Sequence, residues 1–153
     1  MELSSDVNTD RGVVAVRLII PGEPVAWQRA GLNRKTGTIY TRQKPKSFET
    51  LVKEIAYENF KEPPYKGPVT LSVSFYFTRP KSKTYKKKKN LLEFKPTKPD
   101  LDNLIKIIMD SLSGIIYRDD AQIVMLSAKK FICGENDKPH TEIVINFIGE
   151  KSP

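Results

Sequence analysis

The sequence predicts one α+β domain, a mixed β-sheet with two main helices packed on it. Three observations carry this. At 153 residues the chain suits a single domain with its own core. Stretches with an apolar period of two, which mark strands, alternate with two stretches whose apolar residues recur at helical spacing. Their order (strand, basic ribbon, helix, strand, helix, strand, strand) suits a mixed sheet covered on one face by both helices.

Met1 to Asp10 is polar and without periodicity, so residues 1–12 are expected to be a disordered tail ahead of a domain spanning 13–150. Val13 to Ile20 is β-branched and aliphatic and stops at Pro21-Gly22, which predicts a strand and a turn. Between Glu23 and Lys46 runs a basic ribbon with aromatics, carrying Trp27, Arg29, Arg34, Lys35, Tyr40 and Arg42, with Thr36-Gly37 as a hairpin tip. Phe48, Leu51, Val52, Ile55 and Ala56 fall at helical spacing between Ser47, the expected N-cap, and Phe60; Pro63-Pro64 ends that helix. From Val69 to Thr78 apolar and hydroxylated residues alternate strictly, the clearest strand in the chain. Residues 79–98, with Lys81, Lys83, Lys86, Lys87, Lys88 and Lys89, hold little that could pack and read as a mobile basic loop.

Leu104, Ile105, Ile108, Met109 and Leu112 then form a helical stripe within Leu101 to Ser113. Asp102, Lys106 and Asp110 lie four apart on another face, and Gly114 is a suitable stop. Gln122 to Lys130 and Glu142 to Ile148 read as strands, with Gly134 to Pro139 as their hairpin connection.

Composition narrows the function. Lysine and arginine number 26 against 18 aspartates and glutamates, a net charge of +8, which favours a polyanionic partner. Cys133 is the only cysteine and His140 the only histidine, so neither an internal disulfide nor a Cys/His zinc site can form. A metal would have to sit on oxygens. No apolar run reaches the ~20 residues of a membrane span and the start is too polar for a signal peptide, so a soluble cytoplasmic protein is expected.

The unusual feature is Asp100-Leu101-Asp102-Asn103 opening a helix, with Lys106 one turn inside and Asp119-Asp120 ahead of the next strand. Helix capping accounts for one such carboxylate, worth roughly 0.3–1 kcal/mol. If the turn at Gly114 to Tyr117 brings Asp120 alongside, several carboxylates share a small volume, each pair repelling by about 4 kcal/mol at 4 Å and an effective dielectric of 20. Such a cluster favours a divalent cation, and oxygen ligands from aspartates suit Mg²⁺, with Mn²⁺ as its substitute. Metal with phosphate implies phosphodiester hydrolysis, with Lys106 placed to stabilise the phosphate. The plain alternative is an Asp–Lys helix pair worth ~0.3–0.5 kcal/mol.

Lys98-Pro99-Asp100-Leu101-Asp102-Asn103-Leu104-Ile105-Lys106, followed by Asp110, Gly114 and Asp119-Asp120-Ala121-Gln122-Ile123, resembles the signature of RusA-like crossover junction endodeoxyribonucleases. The resemblance implies a homodimer that cuts four-way (Holliday) DNA junctions with Mg²⁺ in recombination and repair. Asp100, Asp102 and Asp120 would then be the metal-binding catalytic carboxylates and Lys106 the essential lysine. Arg29, Arg34, Lys35, Arg42 and the lysines of 81–89 would contact backbone phosphates. Two other readings stay open: a metal-dependent nuclease for other branched or single-stranded DNA, and a DNA-binding module without catalysis.

Overall fold

The computed structural model describes residues 7–8, 13–27, 31–40, 46–81 and 92–149. The strand with the strictest alternation lies inside the sheet. β5 (Val69–Phe77) buries Val69, Leu71, Val73, Phe75 and Phe77 and turns Thr70, Ser72, Ser74 and Tyr76 to the opposite face. Around it the sheet runs in the order β1 (Val7–Asn8), β2 (Val13–Pro21), β8 (His140–Ile148), β5, β7 (Ile123–Ile132), β6 (Glu93–Phe94). β7 is parallel to β5 and all other neighbours are antiparallel, which makes the sheet mixed as expected.

Two helices, α1 (Lys46–Asn59) and α2 (Leu101–Leu112), pack on each other and on the apolar face of the sheet. Val52 and Ile55 of α1 and Leu104 and Ile108 of α2 join Leu18, Leu71 and Ile145 in one core. A separate hairpin, β3 (Gly31–Leu32) with β4 (Ile39–Tyr40), turns where Thr36-Gly37 predicts it. There Asn33 N–H donates to Thr38 O and Gly37, at φ +71°, donates to Asn33 O.

The structure corrects two expectations. β7 and β8 are not a hairpin, because β5 lies between them and pairs with both. β5, α2 and β7 form a crossover unit: a helix returning across the sheet delivers its next strand parallel to the first, and Gly134 to Pro139 must then step across the end of β5. Ser47 is not the N-cap, since α1 begins at Lys46. Within the expected tail, Val7 and Asn8 pair with Val16 and Ala15. Within the expected basic loop, β6 pairs with Phe131 and Ile132. Arg79 is buried there, donating from Nε to Cys133 O at 3.0 Å and from Nη1 to Glu93 at 2.9 Å.

Candidate functional site

α2 carries its polar residues in two groups separated along its length. Asp100 occupies the N-cap with extended backbone, φ −70° and ψ 140°, yet its side chain makes no capping hydrogen bond. Both its oxygens instead accept from Lys98 Nζ, at 2.7 and 2.8 Å. Capping is therefore not what this aspartate does. Asp102, exposed in the first turn, accepts from the Asn103 N–H at 2.9 Å. Lys130 of β7 pins the approach to this end of the helix, donating to Thr97 O at 2.7 Å and Pro99 O at 2.8 Å. Its pKa is lowered, first by burial and then by Lys95 and Lys98, with Asp100 acting the other way.

Further along, Lys106 Nζ stands 3.4 Å from Asp110 and 5.5 Å from the centre of the Trp27 ring. Trp27 is tied to the same helix by its backbone N–H, which donates to Asn103 O at 3.0 Å. An aromatic face and a carboxylate thus hold the ammonium between them.

The chain reverses as soon as α2 ends. Gly114, at φ +85°, donates to Tyr117 O at 2.7 Å, and Ile115 and Ile116 donate to Leu112 O. Tyr117 is fully buried and its hydroxyl donates to Met109 O at 2.7 Å, which fixes the reversal against the helix. A short 3₁₀ turn, Asp120–Gln122, follows. Gln122 secures it with its whole amide: Oε1 accepts from the N–H of Arg118 at 2.8 Å and of Asp119 at 2.9 Å, and Nε2 donates to Tyr65 O at 2.7 Å and Gly67 O at 2.9 Å.

Asp119 and Asp120 therefore sit side by side. The pKa of Asp120 is raised, chiefly by its hydrogen bond with Asp119, then by burial and by the charges of Asp119 and Asp110; Lys106 opposes them. Burial, together with Asp120, Asp110 and Asp119, also pushes up Tyr117. Asp120 thus feels the charges of both Asp110 and Lys106.

The residues singled out in the sequence consequently fall at two places. Asp100 and Asp102 are at the start of α2 with Lys98 and Lys130; Asp120 is with Asp110, Asp119 and Lys106 towards its end. Asp100 and Asp110 are ten positions apart, about 15 Å along a helix axis. Among the described residues, no three His, Cys, Asp or Glu side chains gather closely enough to hold a metal ion. The expected cluster of Asp120 with Asp100 and Asp102 is not found among the described residues.

Of the expected DNA contacts, Arg34 and Lys35 are exposed at the tip of the β3–β4 hairpin and Lys81 is exposed beyond β5. Arg29, Arg42, Lys83, Lys86, Lys87, Lys88 and Lys89 lie outside the described residues. Sequence reasoning gave no role to Gln122, Trp27, Lys98 or Lys130. The Asp-x-x-Gln spacing of 119–122, a capping-box pattern, was the available signal for Gln122; Lys130 has only a long-range one.

A family model described as endodeoxyribonuclease RusA matches residues 21–146, a span that holds both helices and all the acidic residues above. The chain belongs to the RusA family. A Lactococcus phage r1t protein named crossover junction endodeoxyribonuclease rusA is 32% identical over 131 residues, which cover 82% of this chain and 91% of that protein. The Bacillus subtilis (strain 168) protein named uncharacterized protein YqaN is 36% identical over 140 residues, 87% of this chain and 96% of its own. As a RusA-family protein the chain is a hydrolytic nuclease. Among its described residues no helix is long and apolar enough to cross a membrane.

Proposed function

We propose that this RusA-family nuclease is structure-selective, resolving four-way DNA junctions by paired nicks, as a homodimer, in recombination and repair. The reading rests on one coincidence. The family match runs through Asp100, Asp102, Lys106 and Asp120, and Asp100 stands at an N-cap without capping. The reading includes a divalent cation, Mg²⁺ or Mn²⁺ in its place, because an oxygen-only donor set suits a hard ion. Among the described residues one chain does not assemble a three-carboxylate cage, so each side chain is assigned its own part of the chemistry.

Asp100, Asp102 and Asp120 are the carboxylates on which cleavage depends. Lys106, held by Trp27 and Asp110, is the cation that a phosphate meets on the exposed face of α2, where it offsets charge developing on the phosphoryl oxygens. Arg34, Lys35, Lys81 and, by sequence, Arg29, Arg42, Lys83 and Lys86 to Lys89 contact backbone phosphates, so binding follows shape and is salt-sensitive. A four-way junction is close to two-fold symmetric, and two sites related by a two-fold axis nick opposing strands in one encounter. The bacterial and phage relatives support a cytoplasmic protein of bacterial, prophage or phage origin.

The test is incubation with a fixed, strand-labelled four-way junction, a flap and a plain duplex, with and without Mg²⁺. Symmetric nicks across the junction with Mg²⁺ alone are expected. Equal cutting of flap or duplex would replace junction resolution with a broader branched-DNA nuclease.

A further inference from the structure

A column of stacked rings crosses the face of the sheet that is turned away from the helices. In register, His140 of β8 lies opposite Tyr76 of β5, Tyr76 opposite Phe131 of β7, and Phe131 opposite Phe94 of β6. Successive ring centres are 4.3, 5.2 and 5.1 Å apart, with planes 9°, 22° and 24° from parallel. The column is closed at the His140 end, where the ring nitrogens lie 2.8 Å from Lys138 O and 3.2 Å from Glu142 Oε1 and Pro21 of β2 is the next residue in register. It is open at the other. Phe94 has Phe131 against one face of its ring and is 72% exposed.

Stacking within the sheet accounts for Tyr76 and Phe131, each of which has a ring on either side. It does not account for a large aromatic ring left in water on the last strand, where an edge is normally charged. The cations around Phe94 indicate what covers it. Lys129, exposed, stands two residues before Phe131 in β7 and therefore on the same face of the sheet as the column. Around the edge, Lys95 follows Phe94 directly and donates to Thr97 Oγ1 at 3.0 Å, while Lys98, beside Asp100, has a side chain that is 84% exposed. An apolar protein surface laid on Phe94 would have to desolvate these ammonium groups without a partner. A nucleotide brings a flat ring for the phenyl face and a phosphate for the lysines.

We propose that Phe94 is a stacking subsite for one unpaired base of the DNA, which extends the column by a further ring while the flanking phosphates meet Lys129 and Lys95. The proposal rests on the junction-resolving reading above, because unpaired bases arise where arms meet and not along a duplex. A strand crossing this edge of the sheet runs from Lys129 past Phe94 to Lys95 and Lys98, beside Asp100, so a base held here fixes the course of a strand towards the start of α2. The rings behind Phe94 hold it in place before DNA arrives, which lowers the ordering cost of binding. Stacking on a phenyl ring accepts any base, so the subsite selects for an unpaired base and not for a sequence.

Two experiments test this. In the first, a fixed four-way junction with iodouracil at successive positions about its centre, and a single-stranded oligothymidine with the same label, are irradiated with wild-type protein and the cross-linked residue is located by mass spectrometry. The adduct is expected at Phe94. Adducts confined to other residues overturn the proposal.

In the second, Phe94→Leu and Phe94→Trp are compared with wild type for binding to the junction, the oligothymidine and a plain duplex over a range of salt, with circular dichroism and molar mass recorded for each. Phe94→Leu should bind the junction and the oligothymidine about 5–150-fold more weakly, the loss of one base–aromatic stack, and Phe94→Trp should restore binding. The salt dependence should keep its slope, since no charge is removed. Wild-type affinity in Phe94→Leu overturns the proposal. So does an equal loss on duplex or a flatter salt slope, which would mean that β6 has shifted and taken Lys95 with it. A changed molar mass in Phe94→Leu would make the ring a contact between copies and overturns it too. If wild type nicks no junction while Phe94 still governs oligothymidine binding, junction resolution falls and the stacking subsite stands.

Discussion

Replacing Gln122 by alanine removes four hydrogen bonds at once from the turn that presents Asp120. Two of the lost partners, the N–H groups of Arg118 and Asp119, are near solvent and can recover water. The other two, the carbonyls of Tyr65 and Gly67, are bonded to Nε2 in part-buried positions at 2.7 and 2.9 Å. At a net ~0.5–1.5 kcal/mol for each of the carbonyl bonds, and less for the exposed pair, the loss is about 2–3 kcal/mol. For a domain of this length that lowers Tm by roughly 4–12 °C.

A glutamate at 122 separates geometry from simple loss. It keeps the acceptor for the two N–H groups but turns a charged oxygen towards two carbonyls, so its folded-state pKa should lie above its unfolded value. A group raised in this way favours folding below its unfolded pKa and loses that contribution as pH rises through the folded one. Gln122→Glu should therefore approach wild-type stability at about pH 4 and fall away towards pH 7. Urea unfolding followed by circular dichroism at both pH values reads this directly, and single-turnover junction nicking at pH 7 reads the effect on Asp120. A Gln122→Ala protein within about 0.5 kcal/mol of wild type, or a Gln122→Glu protein with no pH dependence, would refute the reasoning.

The remaining predictions concern the site and the edge of the sheet. Asp102→Asn should abolish junction cleavage while binding in a gel-shift assay is kept or strengthened, because it removes repulsion towards phosphate; wild-type cleavage would remove Asp102 from the site. Lys106→Ala should lower the nicking rate more than the affinity, and Trp27→Ala should do the same more weakly, since the ring acts only through the ammonium; equal losses of rate and affinity would make Lys106 a DNA anchor. Arg79→Ala should cost about 3 kcal/mol in urea unfolding, because it strips a buried guanidinium from Cys133 O and leaves Glu93 without that partner; a loss under 1 kcal/mol would show that β6 is held by other contacts.

The parts of this fold that are legible in the sequence are those decided locally. β5 could be read because its neighbours on both sides bury one face and leave the other half-exposed, and α2 because its apolar stripe and Gly114 lie within one short window. The partner of β7 could not be read. Whether Ile123 to Ile132 joins β8 or β5 depends on where α2 returns the chain, a long-range choice that the turn residues of Gly134 to Pro139 do not encode. The site divides the same way. The four-residue spacing of Asp102, Lys106 and Asp110 was visible, whereas the position of Asp120 depended on how tightly the chain reverses at Gly114, and the role of Lys130 on a contact with Pro99 across 31 residues.

That division has a physical consequence for how each group of carboxylates meets a cation. A carboxylate pair at the start of α2 that already has Lys98 and Lys130 for company carries little unbalanced negative charge, and so has little reason to draw in a cation by itself. Asp120 is in the opposite state: its carboxylate neighbours raise its pKa, so it gains from any cation brought near.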